Sequence, residues 1–279
     1  MRQTFIRALL AAAAIVPAAG CISMEKDAAA PATRAALAAA VSNPLRTPAN
    51  VARDPYRHPA ETLAFFGVGP DDTVVEVWPG GGWYTEILAP YLAGGGGRLY
   101  AAAPDWGIGG IKKMKEANAP VYGGVLTADF PAFDANTTRV PEGIADVVLT
   151  FRNVHNWRMG YRRDDKKDYA PEAFRQIYAM LKPGGILGIV DHRLPETASA
   201  ERERTSGYIK TSTVLALADQ AGFELVGTSE INANPKDTTD WPNGVWTLPP
   251  TLALKDQDRA KYVAIGESDR MTLKFRKPR

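Results

Sequence analysis

The sequence predicts an α/β fold, a parallel sheet with its crossover helices packed on it. Three observations point that way. Short β-branched runs alternate with stretches of helical spacing, in the order that parallel strands and crossovers require. The first run, TVVEV, breaks directly into three glycines and then into a helical pattern. The chain has 279 residues, 45% hydrophobic and 23% charged, which suits one large single-core domain with or without a tail.

The N-terminus is set apart. Arg2 and Arg7 precede the apolar stretch ALLAAAAIVPAAG, which is rich in small residues and too short to span a bilayer, so residues 1–20 read as a secretory signal. Cys21, the only cysteine, follows at the position where a bacterial lipoprotein signal carries its lipidated cysteine. Ala18 stands where such signals usually have Leu, so cleavage without lipidation is the competing reading. Removing the signal takes two arginines and no acid, and the formal charge of +2 falls to about zero. That balance, with no basic stretch interleaved with aromatics, argues against a nucleic-acid partner. Residues 21–50 are Ala-rich with scattered prolines and read as a tether holding one short helix, ATRAALAAAV. The domain is expected over 51–279.

Within it, HPAE predicts a helix start: His58 at the cap, Pro59 in the first turn, Glu61 near the positive dipole end. Strands follow at Thr73–Trp78, Arg98–Ala103, Val121–Thr127, Ala145–Phe151 and Ile186–Asp191, with helices at Trp83–Leu92, Ile111–Asn118 and Pro171–Leu181. TSTVLALADQAGF predicts another helix, and FELVGTSEI and MTLKFRK two final strands. About 35 weakly periodic residues separate those two strands, longer than an ordinary connection, which marks a functional excursion or a surface wrap.

A strand that ends in glycines and opens a helix concentrates bare N–H groups and a positive dipole end at one point above the sheet. Gly80, Gly81 and Gly82 are followed by Trp83, Tyr84 and Thr85, so the third glycine of a G-x-G-x-x-G dinucleotide fingerprint is missing. A tight strand-to-helix turn without a ligand is the plain alternative.

At this point a resemblance becomes specific. VVEVWPGGGWYTEIL resembles the first motif of class I S-adenosylmethionine-dependent methyltransferases, an acid ending the first strand before a glycine-rich turn. AFRQIYAMLKPGGILGIVDHR resembles the later signature of the same superfamily, and GIADVVLTFRNVHNW its fourth strand and loop. The combination RHPAETLAFFG, WPGGGWYTEILAPYL and FRNVHNW is similar to a family of exported proteins described as predicted methyltransferases. The resemblance implies a Rossmann-like, doubly wound, seven-stranded, mostly parallel sheet with an antiparallel C-terminal strand, and S-adenosylmethionine as cofactor. It implies Glu76 beside the cofactor's amino group, Gly80, Gly81 and Gly82 at its backbone approach, Asp129 on the adenine and Phe151 in the loop under the sulfonium. Two positions depart: Trp78 replaces the first glycine of the motif, and Ala103 stands where an acid would grip the ribose, with Asp105 two residues on as a substitute.

Methyl transfer is an in-line displacement, so the protein aligns the acceptor and supplies a base if the acceptor is protonated. The candidates are His155, in RNVHNW beside Asn153, and His192, after Asp191; both follow strand ends, and each is equally readable as a histidine satisfied by its neighbours. Arg152 and Arg193 are candidates to hold an anionic substrate. No cluster has zinc-ligand spacing and no G-x-S-x-G elbow is present, so no metal and no serine nucleophile are expected. DWPNGVW is either a lid or surface packing. The functional expectation is an exported, lipid-anchored methyltransferase acting on a small molecule or an envelope component. Its first rival is a methyltransferase-fold binding protein without turnover. A nicotinamide-dependent oxidoreductase is the third reading, weakened by the absent glycine.

Overall fold

The computed structural model describes residues 31–134 and 136–279. The signal and Cys21 lie outside the described residues. Eight strands form one sheet: β1 (Thr73–Val77), β2 (Arg98–Ala102), β3 (Leu126–Ala128), β4 (Ala145–Phe151), β5 (Leu181–Leu194), β6 (Ile209–Lys210), β7 (Glu224–Ser229) and β8 (Arg270–Arg276). Their order is β3-β2-β1-β4-β5-β8-β7, with the two-residue β6 beside β5. All pairs from β3 to β5 are parallel, and β8 runs antiparallel to both β5 and β7.

Burial explains why β1 is apolar almost throughout. Val74 faces one packed layer with Leu63, Phe66, Ile87 and Leu88, while Val75 and Val77 face the other with Trp157, Phe174 and Ile177. A parallel sheet covered on both sides leaves no polar face to its central strands. Glu76, on the Val74 side, is the exception, only 2% exposed.

Several boundaries differ from the sequence expectation. The strand expected over Val121–Thr127 is a helical turn, Ala119–Tyr122, followed by β3. Pro120, in the first turn, presets its helical φ, and Gly123 and Gly124 then break the run. The helix expected from Ile111 begins at Asp105, hidden by Gly107, Gly109 and Gly110. Gly110 is there for a reason: a Cβ would strike the Gly80 carbonyl, so this helix lies directly against the glycine turn. β5 is 14 residues long and absorbs LKPGG, with a register shift against β4 between Ala145 and Val147.

The helix Pro31–Val41 is not a tether. Leu37 is fully buried among Leu63, Ile87 and their neighbours. Beyond it, Arg46 donates to both oxygens of Asp54 at 2.7 and 2.8 Å, and the Thr47 hydroxyl donates to Glu86 at 2.5 Å. The folded body therefore includes residues 31–50. His58 stands at the cap position expected of it, joining two helices at φ 41, but its side chain makes no cap bond; its carbonyl accepts the first helical bond, from the Thr62 N–H at 2.9 Å. No helix among the described residues is long and apolar enough to cross a membrane.

Candidate functional site

The strand order reverses at β1, whose neighbours β2 and β4 lead away in opposite directions, and open α/β sheets hold ligands in the crevice above such a point. A cavity of about 240 Å3 lies there, lined by Glu76, Trp78 to Gly81, Trp83, Tyr84, Phe151 to Asn153 and, from the N-terminal segment, Asn50, Arg53 and Arg57.

Glu76 carries the most distinctive chemistry. Thr85 Oγ1 donates to its Oε2 at 2.6 Å, which alone would favour the carboxylate, yet burial dominates and pushes its pKa up to about 7. It is the acid facing a turn of positive-φ glycines, Gly80 at φ 59 and Gly82 at φ 85. The two have different tasks. A Cβ on Gly82 would overlap Met114 Sδ, so its absence permits helix packing; a Cβ on Gly80 would meet nothing within 4 Å, so its absence keeps the cleft open.

Phe151 stacks on Tyr84 with ring centroids 3.6 Å apart, forming one wall. Asn153 lines the cavity and pins it: its amide donates to the Val77 carbonyl at 3.0 Å and to Thr150 Oγ1 at 3.1 Å, joining the ends of β1 and β4. The two histidines do not line it. His155 is buried with Nδ1 2.7 Å from Asp191 Oδ1, and His192 is buried with Nδ1 2.5 Å from Ser268 Oγ. Burial, then His155 and Arg152, hold His192 well below the ordinary imidazole value, so it is neutral at pH 7. His155, Asp191 and His192 bring ligand-type atoms within 4.8 Å of one another, but the surrounding Arg152, Arg270 and Arg57 oppose a cation there.

Two expected nucleoside contacts point elsewhere. Asp105 is exposed at the start of its helix and pairs with Lys112 at 3.3 Å. Asp129 accepts from the Thr138 N–H at 3.1 Å, closing its own loop. Trp78 explains the gap they leave. At φ 52 it turns its indole away from the strand, Nε1 donates to the Phe130 carbonyl at 2.9 Å, and the ring packs edge-on against Trp106 and Trp157. It lines both the cavity at Glu76 and a second one of about 490 Å3, bounded by Pro104, Trp106, Pro131, Phe133, Tyr161 and Arg162. Trp78 thus borders both cavities. DWPNGVW lines neither cavity; Trp241 donates to Asp237 Oδ1 at 2.7 Å and packs on Tyr262.

Sequence reasoning missed Arg53, Arg57 and Glu267. Glu267 receives Arg53 Nε at 2.6 Å and Arg57 Nε at 3.2 Å, and Arg270 Nη1 lies 3.2 Å away. Burial would raise its pKa, but Arg270, Arg57, Arg53 and Arg152 hold it down to about 2. The signal was present in RDPYR, two arginines one helical turn apart, but Glu267 lies more than 200 positions along the chain.

No protein-family model matches the sequence, and no curated protein matches it either. Solved structures do. A SAM-dependent methyltransferase from Aquifex aeolicus aligns with TM-score 0.53 and 13% identity over 88% of this chain and 98% of its own. Phosphoethanolamine N-methyltransferase 2 of Haemonchus contortus, in complex with S-adenosyl-L-methionine, aligns at 0.51 and 16% over 80% of this chain and 53% of its own. The (4+2)-cyclase SpnF aligns at 0.50 and 15% over 75% of each chain. Identities this low establish architecture alone: the chain has the Rossmann-like α/β fold of S-adenosylmethionine-dependent methyltransferases, a fold that also serves a cyclase.

Proposed function

We propose that this protein is an S-adenosylmethionine-dependent methyltransferase. One observation carries the reading: the buried Glu76 carboxyl ends β1 at the switch point and faces an open glycine turn across a cavity. That arrangement fits the amino-acid end of the cofactor. Glu76 would receive the ammonium, and Gly80 and Gly81 would let the backbone come close. Phe151 and Tyr84 would exclude water from one side while Asn153 keeps the two strand ends in register. The cofactor, when bound, supplies a methyl group on a sulfonium. The charged N-terminus, its apolar run and Cys21 support an exported, lipid-anchored enzyme resembling the exported family named above, with a small molecule or envelope component as acceptor.

The nucleoside end fits less well. Trp78 borders both cavities, Ala103 offers no oxygen to a ribose, and Asp105 and Asp129 are engaged elsewhere. That supports the second reading, a binding protein on this fold without turnover. Calorimetric titration of the purified chain with S-adenosylmethionine and S-adenosylhomocysteine separates the two. The transferase reading expects dissociation constants well below about 1 mM and a loss of at least roughly tenfold in Glu76→Gln. Millimolar or weaker binding of both ligands would leave only the binding protein.

A further inference from the structure

Three arginines line the cavity at Glu76, and the protein balances their charge only in part. Arg53, Arg57 and Arg270 converge on the single carboxylate of Glu267. Arg152, which lines the same cavity, makes no side-chain hydrogen bond and no ion pair among the described residues. Glu76, the acid that lines this cavity, has its pKa raised to about 7 by burial. Nη2 of Arg53 and Nη2 of Arg57 are buried without an acceptor, although Arg57 is only 3% exposed. A buried guanidinium with unused donors is a costly arrangement that native proteins correct with a partner.

Backbone strain adds a second, independent mark. Arg152 adopts φ 65, a left-handed conformation that L side chains rarely hold, and it is kept there by its N–H to the Val190 carbonyl at 2.7 Å. Arg193, the other arginine singled out from the sequence, shows what a satisfied one looks like: Glu230 and Asp269 accept from it at 2.7 to 3.0 Å. Arg152 has no such partner: Glu267 and Asp191 act on it through their charge alone, with no hydrogen bond or ion pair to its side chain among the described residues.

We propose that the wall formed by Arg53, Arg57 and Arg152 is a binding site for an oxyanion, the carboxylate or phosphate of a small acidic ligand. Guanidinium forks match that geometry bidentately, and a cavity of about 240 Å3 admits a ligand of only a few heavy atoms beside them. The site stands whether or not a nucleoside cofactor binds. If one does, it brings a sulfonium and an ammonium against one carboxylate, which deepens the excess of positive charge and strengthens the demand for an acidic companion.

Malonate and inorganic phosphate are the probes, titrated calorimetrically into the full chain at constant ionic strength, with chloride as the control salt. We expect at least one to bind tighter than about 10 mM, and Arg152→Gln and Arg53→Gln each to weaken it roughly tenfold or more. Arg53, more exposed than Arg57, and the charge-conserving Arg152→Lys keep the test readable if Arg152→Gln fails to fold. Absence of binding by both probes in the parent chain, or binding that neither arginine variant weakens, overturns the proposal. Repeating the S-adenosylhomocysteine titration in saturating malonate identifies the source: competition means the site takes the amino-acid carboxylate of the cofactor, and unchanged or tighter binding means a separate acidic substrate. Failure of S-adenosylhomocysteine to bind at all, with malonate still binding, would remove the transferase reading and leave the oxyanion site intact.

Discussion

Glu76 shows how far a single residue is governed by what surrounds it. An acid whose folded pKa rises from 4.5 to about 7 binds its proton more tightly in the native state than in the unfolded chain. Between those values the folded protein holds more protons, so stability falls as pH rises, by at most about 3 kcal/mol across the window. Glu76→Gln should abolish that component. Urea denaturation at pH 5 and pH 8 should show a parent chain that loses more stability than the variant on going to the higher pH. The difference between the two curves matters because His192, held low, gives the opposite slope below its ordinary value. The acid was legible from VVEVWPGGG. Its burial was not, because that depends on Thr85 and the whole layer above the strand.

At the scale of the element, the glycine turn is two devices in one motif. Gly82→Ala combines a strained φ of 85 with an overlap on Met114 and should destabilise by about 2–4 kcal/mol, read as a fall in the urea midpoint. Gly80→Ala, strained at φ 59 but with free space, should cost about 1 kcal/mol. Equal costs would mean that the two glycines share one role. The strand-to-helix turn itself could be read from three glycines after an apolar run, as could every parallel strand but β3 and the two-residue β6. The helix at Asp105 could not, because its first turns hold three glycines that local propensity counts against it. Of the three, Gly110 is required, because a backbone and not a side chain has to fit against Gly80. Trp78 was identified as a departure from the motif, but the direction of its indole is set by the Phe130 carbonyl on a loop after β3, which no local pattern reveals.

For the whole molecule, the segment before the first strand is structural as well as connecting. Leu37→Ala should cost about 2–5 kcal/mol in chemical denaturation, as for any fully buried leucine, whereas a tether would lose nothing. The same segment delivers Asn50, Arg53 and Arg57 to the cavity, so two of the three arginines of the proposed oxyanion wall come from ahead of the first strand. That is why the sheet and its switch point were readable while the charge of the site was not. Alternation and glycine spacing are local signals, but the convergence of Arg53, Arg57, Arg152 and Arg270 on Glu267 joins three distant parts of the chain.

Asp191 closes the same circuit from below. Its two oxygens accept from the His155 N–H at 3.2 Å and the His192 N–H at 2.7 Å, with the His155 ring at 2.7 Å. The loop that presents Arg152 is thereby moored to the neighbouring strand by one side chain lying outside the cavity. Natural variation at that mooring would retune the site without altering any residue a ligand touches.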